Sequence, residues 1–261
     1  MEIIIAILLG ILQGVTEWLP ISSSGHLALV QNLFRLEIPV VFDIFIHMGT
    51  LLAVCIVYKN DILAMLWALL HLKFRSKEFH LILLLILAMT PTAIIGFTFK
   101  SFFEGMFKSN LQIGIALIIT GIILYLASKT KTKTKQASNK ITANSSLIIG
   151  IFQGIAVAPG ISRSGATISA GLLQGIKAKE AARFSFLLSV PAILGATVFE
   201  VKDAALGSIE LVPFLVGASA ATVVGYFTIK FLLKILEEKK FQYFAYYCWI
   251  IGITVIVFSL V

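Results

Sequence analysis

The sequence predicts an all-α polytopic membrane protein built as an inverted-topology repeat. Three observations predict it: a scarcity of charge, apolar runs long enough to cross a bilayer, and one broken motif that occurs twice. Of the 261 residues, 59% are hydrophobic and 13% charged, and the mean hydropathy is +0.99. A soluble domain carries about twice that charged share, roughly 25%. The apolar residues form continuous runs, such as Leu111 to Ala127, Leu211 to Leu233 and Phe241 to Val261. Each run, as a helix, can cross a hydrocarbon core of about 30 Å.

Along the chain, residues 2–35 are apolar but interrupted by Pro20-Ile21-Ser22-Ser23-Ser24-Gly25. The N-terminus, Met1-Glu2-Ile3-Ile4-Ile5, lacks the positive n-region and cleavage site of a signal peptide, so this segment is expected to be retained. Spanning helices follow at about 40–58, 80–100 and 111–128. After a basic linker, residues 147–176 are again apolar and again broken, at Pro159-Gly160-Ile161-Ser162-Arg163-Ser164-Gly165. Three more spans lie at about 180–200, 211–235 and 242–260. Irregular backbone facing lipid would leave N–H and C=O groups unpaired, so each broken segment must lie within protein or line a cavity. Two re-entrant helix–loop–helix units are the natural reading. Cys55 and Cys248 sit in apolar stretches without metal-ligand spacing and read as packing residues.

The two broken segments are copies. Displaced by 140 positions, Gly10-Ile11-Leu12-Gln13-Gly14 lies over Gly150-Ile151-Phe152-Gln153-Gly154, and Ile21-Ser22-Ser23-Ser24-Gly25 over Ile161-Ser162-Arg163-Ser164-Gly165. Half of positions 10–25 are identical without a gap. The expected organisation is a first repeat at 1–128, a basic linker at 129–146 and a second repeat at 147–261.

Charge sets the orientation. The loop after the first span carries Lys59, Lys73, Arg75 and Lys77. The loop after the third carries Lys129, Lys131, Lys133, Lys135 and Lys140, and that after the fifth Lys234, Lys239 and Lys240. The alternate loops hold Lys100 and Lys108, or Lys202 beside Asp203 and Glu210. The positive-inside rule then places the lysine-rich loops in the cytoplasm and both termini outside. The formal net charge of +8 is thereby accounted for without a nucleic-acid partner. An odd number of spans separates the two broken units, so they enter from opposite faces and meet near the midplane.

Ionisable groups at membrane depth are functional candidates. These are Glu17, His26, Asp43, His47 and Arg163. Arg163 lies among Ser162, Ser164 and Thr167 in the second break. If the breaks meet, a carboxylate, an imidazole, several hydroxyls and a guanidinium share one site. That set suits a phosphate ester or anhydride. Arginine presents a planar fork of donors to phosphate oxygens. Ser23-Ser24-Gly25-His26 and Arg163-Ser164-Gly165-Ala166 both lead into apolar helical sequence, so each offers helix N-terminal N–H groups to an anion. His26 lies three residues from Ser23 and can serve as its base. Glu17 can bind a divalent cation, and Gln13, one helical turn earlier, can add a neutral oxygen.

Plainer readings stand beside these. Ser22 and Ser24, taken singly, can be close-packing contacts between membrane helices. Asp43 and His47, four residues apart, either support the site or hydrogen-bond each other or a neighbouring helix. Glu180 and Arg183 read as an interfacial pair, and His71 and His80 as solvated.

The run Gln13-Gly14-Val15-Thr16-Glu17-Trp18-Leu19-Pro20-Ile21-Ser22-Ser23-Ser24-Gly25-His26 resembles the first motif of the undecaprenyl-diphosphate phosphatase (bacitracin-resistance) family. Pro159-Gly160-Ile161-Ser162-Arg163-Ser164-Gly165-Ala166-Thr167 resembles its second, and the stretch from Phe42 to Thr50 is also similar. The resemblance implies hydrolysis of a polyprenyl diphosphate lipid to the monophosphate, with Mg²⁺ or Ca²⁺, in the plasma membrane, at a site open to the outer face. It makes Glu17 the metal-associated acid, Ser23 and His26 a nucleophile and base pair in either order, and Arg163 the diphosphate holder. Ser22, Ser24, Gly25, Ser162, Ser164, Gly165 and Thr167 become diphosphate contacts, with Gln13, Asp43 and His47 in support. Many members carry Glu where this chain has Gln13, so one carboxylate stands here instead of two. Membrane lipids surround such a protein, and a homodimer is compatible with its apolar faces.

A secondary transporter or lipid flippase shares the inverted-repeat architecture and is the alternative from another class. The other large family of membrane lipid phosphatases is echoed in Ser24-Gly25-His26 and Ser162-Arg163. It also requires an Arg-Pro element and a His six residues after the motif Arg. This chain has no Arg-Pro, and Ser169 occupies the His position.

Overall fold

Twelve helices and no strand occur among the described residues of the computed structural model, which are 1–130, 140–203 and 211–260, with side chains described for all but 199–203. The first helix, α1 (Ile3–Trp18), stops because Leu19 precedes a proline and is held extended, at φ −67° and ψ 145°. The helix restarts as α2 (Ser23–Phe34), whose N-cap Ser22 accepts a hydrogen bond from the Gly25 N–H at 3.2 Å. The second broken segment repeats this plan as α8 (Ala143–Ile155) and α9 (Arg163–Leu173). There Gly160 takes φ +95°, a conformation that favours glycine, and Ser162 caps the Gly165 N–H at 3.1 Å. Both segments are therefore helix–break–helix, and α2 and α9 begin at equivalent positions of the duplicated motif.

Six helices are long and apolar enough to cross a membrane: α3 (Val40–Val57), α5 (Lys77–Thr98), α7 (Asn110–Lys129), α10 (Ala178–Asp203), α11 (Leu211–Glu237) and α12 (Gln242–Leu260). The chain is a multi-pass, all-α membrane protein. Their outward faces carry bare apolar side chains, among them Ile86, Phe227, Ile250 and Phe258. Such a surface suits lipid and not water.

Two predicted loops contain more order than expected. The connection after the first span is mostly a helix, α4 (Lys59–Leu70), and a short α6 (Lys100–Met106) follows α5. The run Ile62-Leu63-Ala64-Met65-Leu66 favours helix but is too short to span. It leaves Leu63, Leu66, Trp67 and Leu70 exposed on the outside of the bundle. The expectations for Lys131, Lys133, Lys135 and Glu210 lie outside the described residues, and so do those for the side chains of Lys202 and Asp203.

The halves interlock. Helix α1 packs on α11, and its counterpart α8 packs on α5, so each broken segment leans on a long helix of the other half. Glycines permit the close approach. A Cβ at Gly10 would strike the Gly217 carbonyl, and one at Gly14 would lie 2.9 Å from the Ala221 oxygen. At the equivalent positions, a Cβ at Gly150 would strike the Ala88 carbonyl and one at Gly154 would lie 2.7 Å from Ile95. The duplicated Gly-x-x-x-Gly pattern is thus a packing seam in both halves. Near the centre, Trp18 meets Phe186 edge-on at 5.3 Å, and Phe184, Leu187, Leu188 and Ile168 are fully buried around them.

Candidate functional site

The two breaks touch. The Ser22 hydroxyl, besides capping α2, accepts from the Gly160 N–H of the other break at 3.1 Å. The Ser164 hydroxyl donates back to the Leu19 carbonyl at 3.2 Å. A Cβ on Gly25 would come within 2.9 Å of the Gly160 Cα, and one on Gly165 within 3.2 Å of Pro20. The small residues bring two helix N-termini, those of α2 and α9, to one place. First-turn N–H groups have no intrahelical partner, so this place is electropositive. Ser24 and Ser164 each face their own capping serine, at 3.4 and 3.3 Å.

Glu17, at the end of α1, is the hub. One carboxylate oxygen pairs with Arg163 Nη2 of the second break. The other accepts from the Ser23 hydroxyl at 2.6 Å and from Gln13 Nε2 at 3.2 Å, and lies 3.9 Å from His47 Nε2. The carboxylate side chain is only 6% exposed. A buried charge needs such partners, because desolvation without compensation is costly. The Arg163 guanidinium stacks over the Trp18 ring, 5.4 Å from its centroid, which fixes its plane. Its Nη1 is buried and has no hydrogen-bond partner among the described residues. Buried donors are normally satisfied, so this N–H is a donor still open to an acceptor.

The remaining predicted residues divide. His47 joins the hub, and its Nδ1 bonds the Asp43 carbonyl at 2.7 Å, while the Asp43 carboxylate accepts from Gln31 of α2 at 3.2 Å. Asp43 thus ties α3 to α2. His26 makes no hydrogen bond to Ser23 among the described contacts. Its Nδ1 lies 2.8 Å from the Ser22 carbonyl oxygen and its Nε2 2.9 Å from the Tyr247 hydroxyl. Thr167 faces away from the break: its hydroxyl donates to the Arg163 carbonyl at 2.8 Å and meets Ser185 at 2.6 Å. Glu180 and Arg183 do pair, at 3.4 Å, and Arg183 also binds Asp61 of α4.

Three contributors were not singled out from the sequence. Trp18 lies inside the first motif and stacks on Arg163. Thr120 of α7 pins the second break by donating to the Gly160 carbonyl at 2.8 Å and accepting from the Ser162 N–H at 3.2 Å. Tyr247 comes from α12, an apolar run whose pattern gives no hint of a site.

A divalent cation has few protein ligands here. No group of three or more His, Cys, Asp or Glu side chains is placed to hold a metal ion among the described residues. Glu17 is the single carboxylate of the hub, and Gln13 Oε1 is buried without a partner. That pair fits an ion held mainly by substrate phosphates and water, as Mg²⁺ commonly is.

Comparison with known proteins identifies the family. The family described as Bacitracin resistance protein BacA matches residues 6–254. An undecaprenyl-diphosphatase of Carboxydothermus hydrogenoformans is 46% identical over 258 residues, covering 97% of this chain and 95% of that protein. One of Halothermothrix orenii is 43% identical, with 99% of each chain covered. One of Methanobrevibacter smithii is 41% identical, with 100% and 99% covered. With the match running through both breaks and five spans and into the sixth, the chain belongs to the bacitracin resistance protein BacA family.

Proposed function

We propose that the protein hydrolyses undecaprenyl diphosphate, or a related polyprenyl diphosphate, to the monophosphate and inorganic phosphate. This would recycle the lipid carrier of cell-wall glycan synthesis. The observation that carries the reading is the unspent, buried Nη1 of Arg163 beside the Ser23–Glu17 hydrogen bond. The names of the relatives support it. A transporter site needs no hydroxyl bonded to a buried carboxylate, so the transporter or flippase alternative is not favoured.

In this reading Arg163 and the N–H groups heading α2 and α9 hold the terminal phosphate. Ser23 Oγ attacks the terminal phosphorus. The Oγ–P bond forms as the bond from phosphorus to the bridging oxygen breaks, and the electron pair leaves with the prenyl monophosphate. Glu17, already hydrogen-bonded to Ser23, takes its proton. Water then attacks the phosphoserine and gives a proton to His26, the Oγ–P bond breaks, and Oγ recovers its proton from Glu17. The proton on His26 leaves with the phosphate or to solvent. Glu17 and Gln13 would hold a Mg²⁺ or Ca²⁺ ion that neutralises diphosphate charge. The broken segments are proposed to be re-entrant, with the lysine-rich loops cytoplasmic, both termini outside and the site open to the outer face.

The test is phosphate release from a polyprenyl diphosphate by the purified protein in detergent, with Mg²⁺, with Ca²⁺ and with chelator. Cation-dependent release, abolished in a folded Arg163→Ala variant, is the expected result. Folded protein that releases nothing from any prenyl diphosphate would overturn the reading.

A further inference from the structure

We propose that Tyr247 is a positioning residue for His26, holding the imidazole in the orientation that hydrolysis requires. The inference rests on the phosphatase reading. His26 Nδ1 faces the Ser22 carbonyl oxygen at 2.8 Å. A carbonyl only accepts, so Nδ1 bears a hydrogen and the neutral ring keeps its lone pair on Nε2. That is the form a base needs. The Tyr247 hydroxyl, 221 residues away in the chain, donates to this lone pair at 2.9 Å. The two rings also stack, with centroids 5.7 Å apart and planes 15° from parallel. His26 is buried at 9% exposure, whereas Tyr247 is 38% exposed, so the phenol forms the outer wall of the imidazole's slot. One contact thus fixes the ring plane and the other keeps the buried Nε2 satisfied until a substrate or water displaces the phenol. Helix α12 packs mainly on α7, and it reaches the first break through Tyr247 and through Cys248, whose Sγ donates to the Pro20 carbonyl at 3.7 Å.

Tyr247→Phe keeps the stacking ring and removes only the hydroxyl. The expected result is a kcat lowered by about 10-fold, as for loss of an orienting partner, with KM changed by less than about 3-fold. In a His26→Gln background the same substitution should add no further loss, since its effect passes through the imidazole. Wild-type kcat in Tyr247→Phe would overturn the proposal while leaving the phosphatase reading intact. So would a loss of equal size in the His26→Gln background, which would mark a structural role. Absence of phosphate release from the wild-type protein would overturn both. Melting temperatures of the variants in detergent, matched to wild type, exclude misfolding as the cause.

Discussion

The first and second breaks share a backbone plan and carry different side chains. Both begin a helix with a capping serine, at Ser22 and Ser162, and both follow a glycine seam on a helix of the other half. Their side chains differ at the positions of the proposed site. Glu17 has Val157 as its counterpart, Ser23 has Arg163, His26 has Ala166 and His47 has Leu187. The carboxylate, hydroxyl and imidazoles therefore sit in one half, and the other contributes the cation. Neither break is a site alone. A buried carboxylate without Arg163, or a buried guanidinium without Glu17, would be an unpaired charge in a low-dielectric interior. In the proposed site the two halves meet through one ion pair, and each charge compensates the other's burial.

The most severe way to break this complementarity is to remove the cation. Arg163→Ala should lower phosphate release by about 10³-fold, the scale of a lost transition-state cation. Arg163→Lys should recover only a small part, because an ammonium cannot fork between Glu17 and phosphate. Steady-state kinetics on both variants checks this. A near-wild-type rate in Arg163→Ala would deny the second break its role.

The seams test whether the halves are equivalent as scaffolds. Gly10→Ala and Gly150→Ala each drive a methyl into a backbone carbonyl of the partner helix and should cost about 1–3 kcal/mol each. Thermal unfolding in detergent should show similar losses. A loss confined to one would mean that the other seam opens without penalty.

The caps sharpen the comparison. Ser162→Ala removes one N–H acceptor and should cost about 1 kcal/mol. Ser22→Ala should cost more, because Ser22 also accepts from Gly160 across the breaks. Equal unfolding temperatures for the two would remove the cross-break bond from the account. The smallest change expected is a gain. A Cβ at Gly195, inside α10, would meet nothing within 4 Å, so Gly195→Ala should raise stability by about 0.5–1 kcal/mol.

Much of this molecule was legible in its residues. Six apolar runs mark the spans to within a few positions, because only a continuous helix satisfies its backbone in hydrocarbon. The duplicated Ser-x-Ser-Gly marks both helix starts, since serine caps a helix through a local hydrogen bond. Glu17 and Arg163 stand out because charge at membrane depth is costly. The partners of those residues are another matter. Spacing within α2 suggests that His26 serves Ser23, yet Ser23 bonds Glu17 and His26 bonds Tyr247. Likewise, the second motif suggests Thr167 as a phosphate contact, and packing of α9 on α10 gives its hydroxyl to Ser185. Sequence periodicity reports which side of a helix a residue occupies, and burial rules report what must be paired. Which partner is met depends on how helices from the two halves cross, so only the tertiary structure decides it.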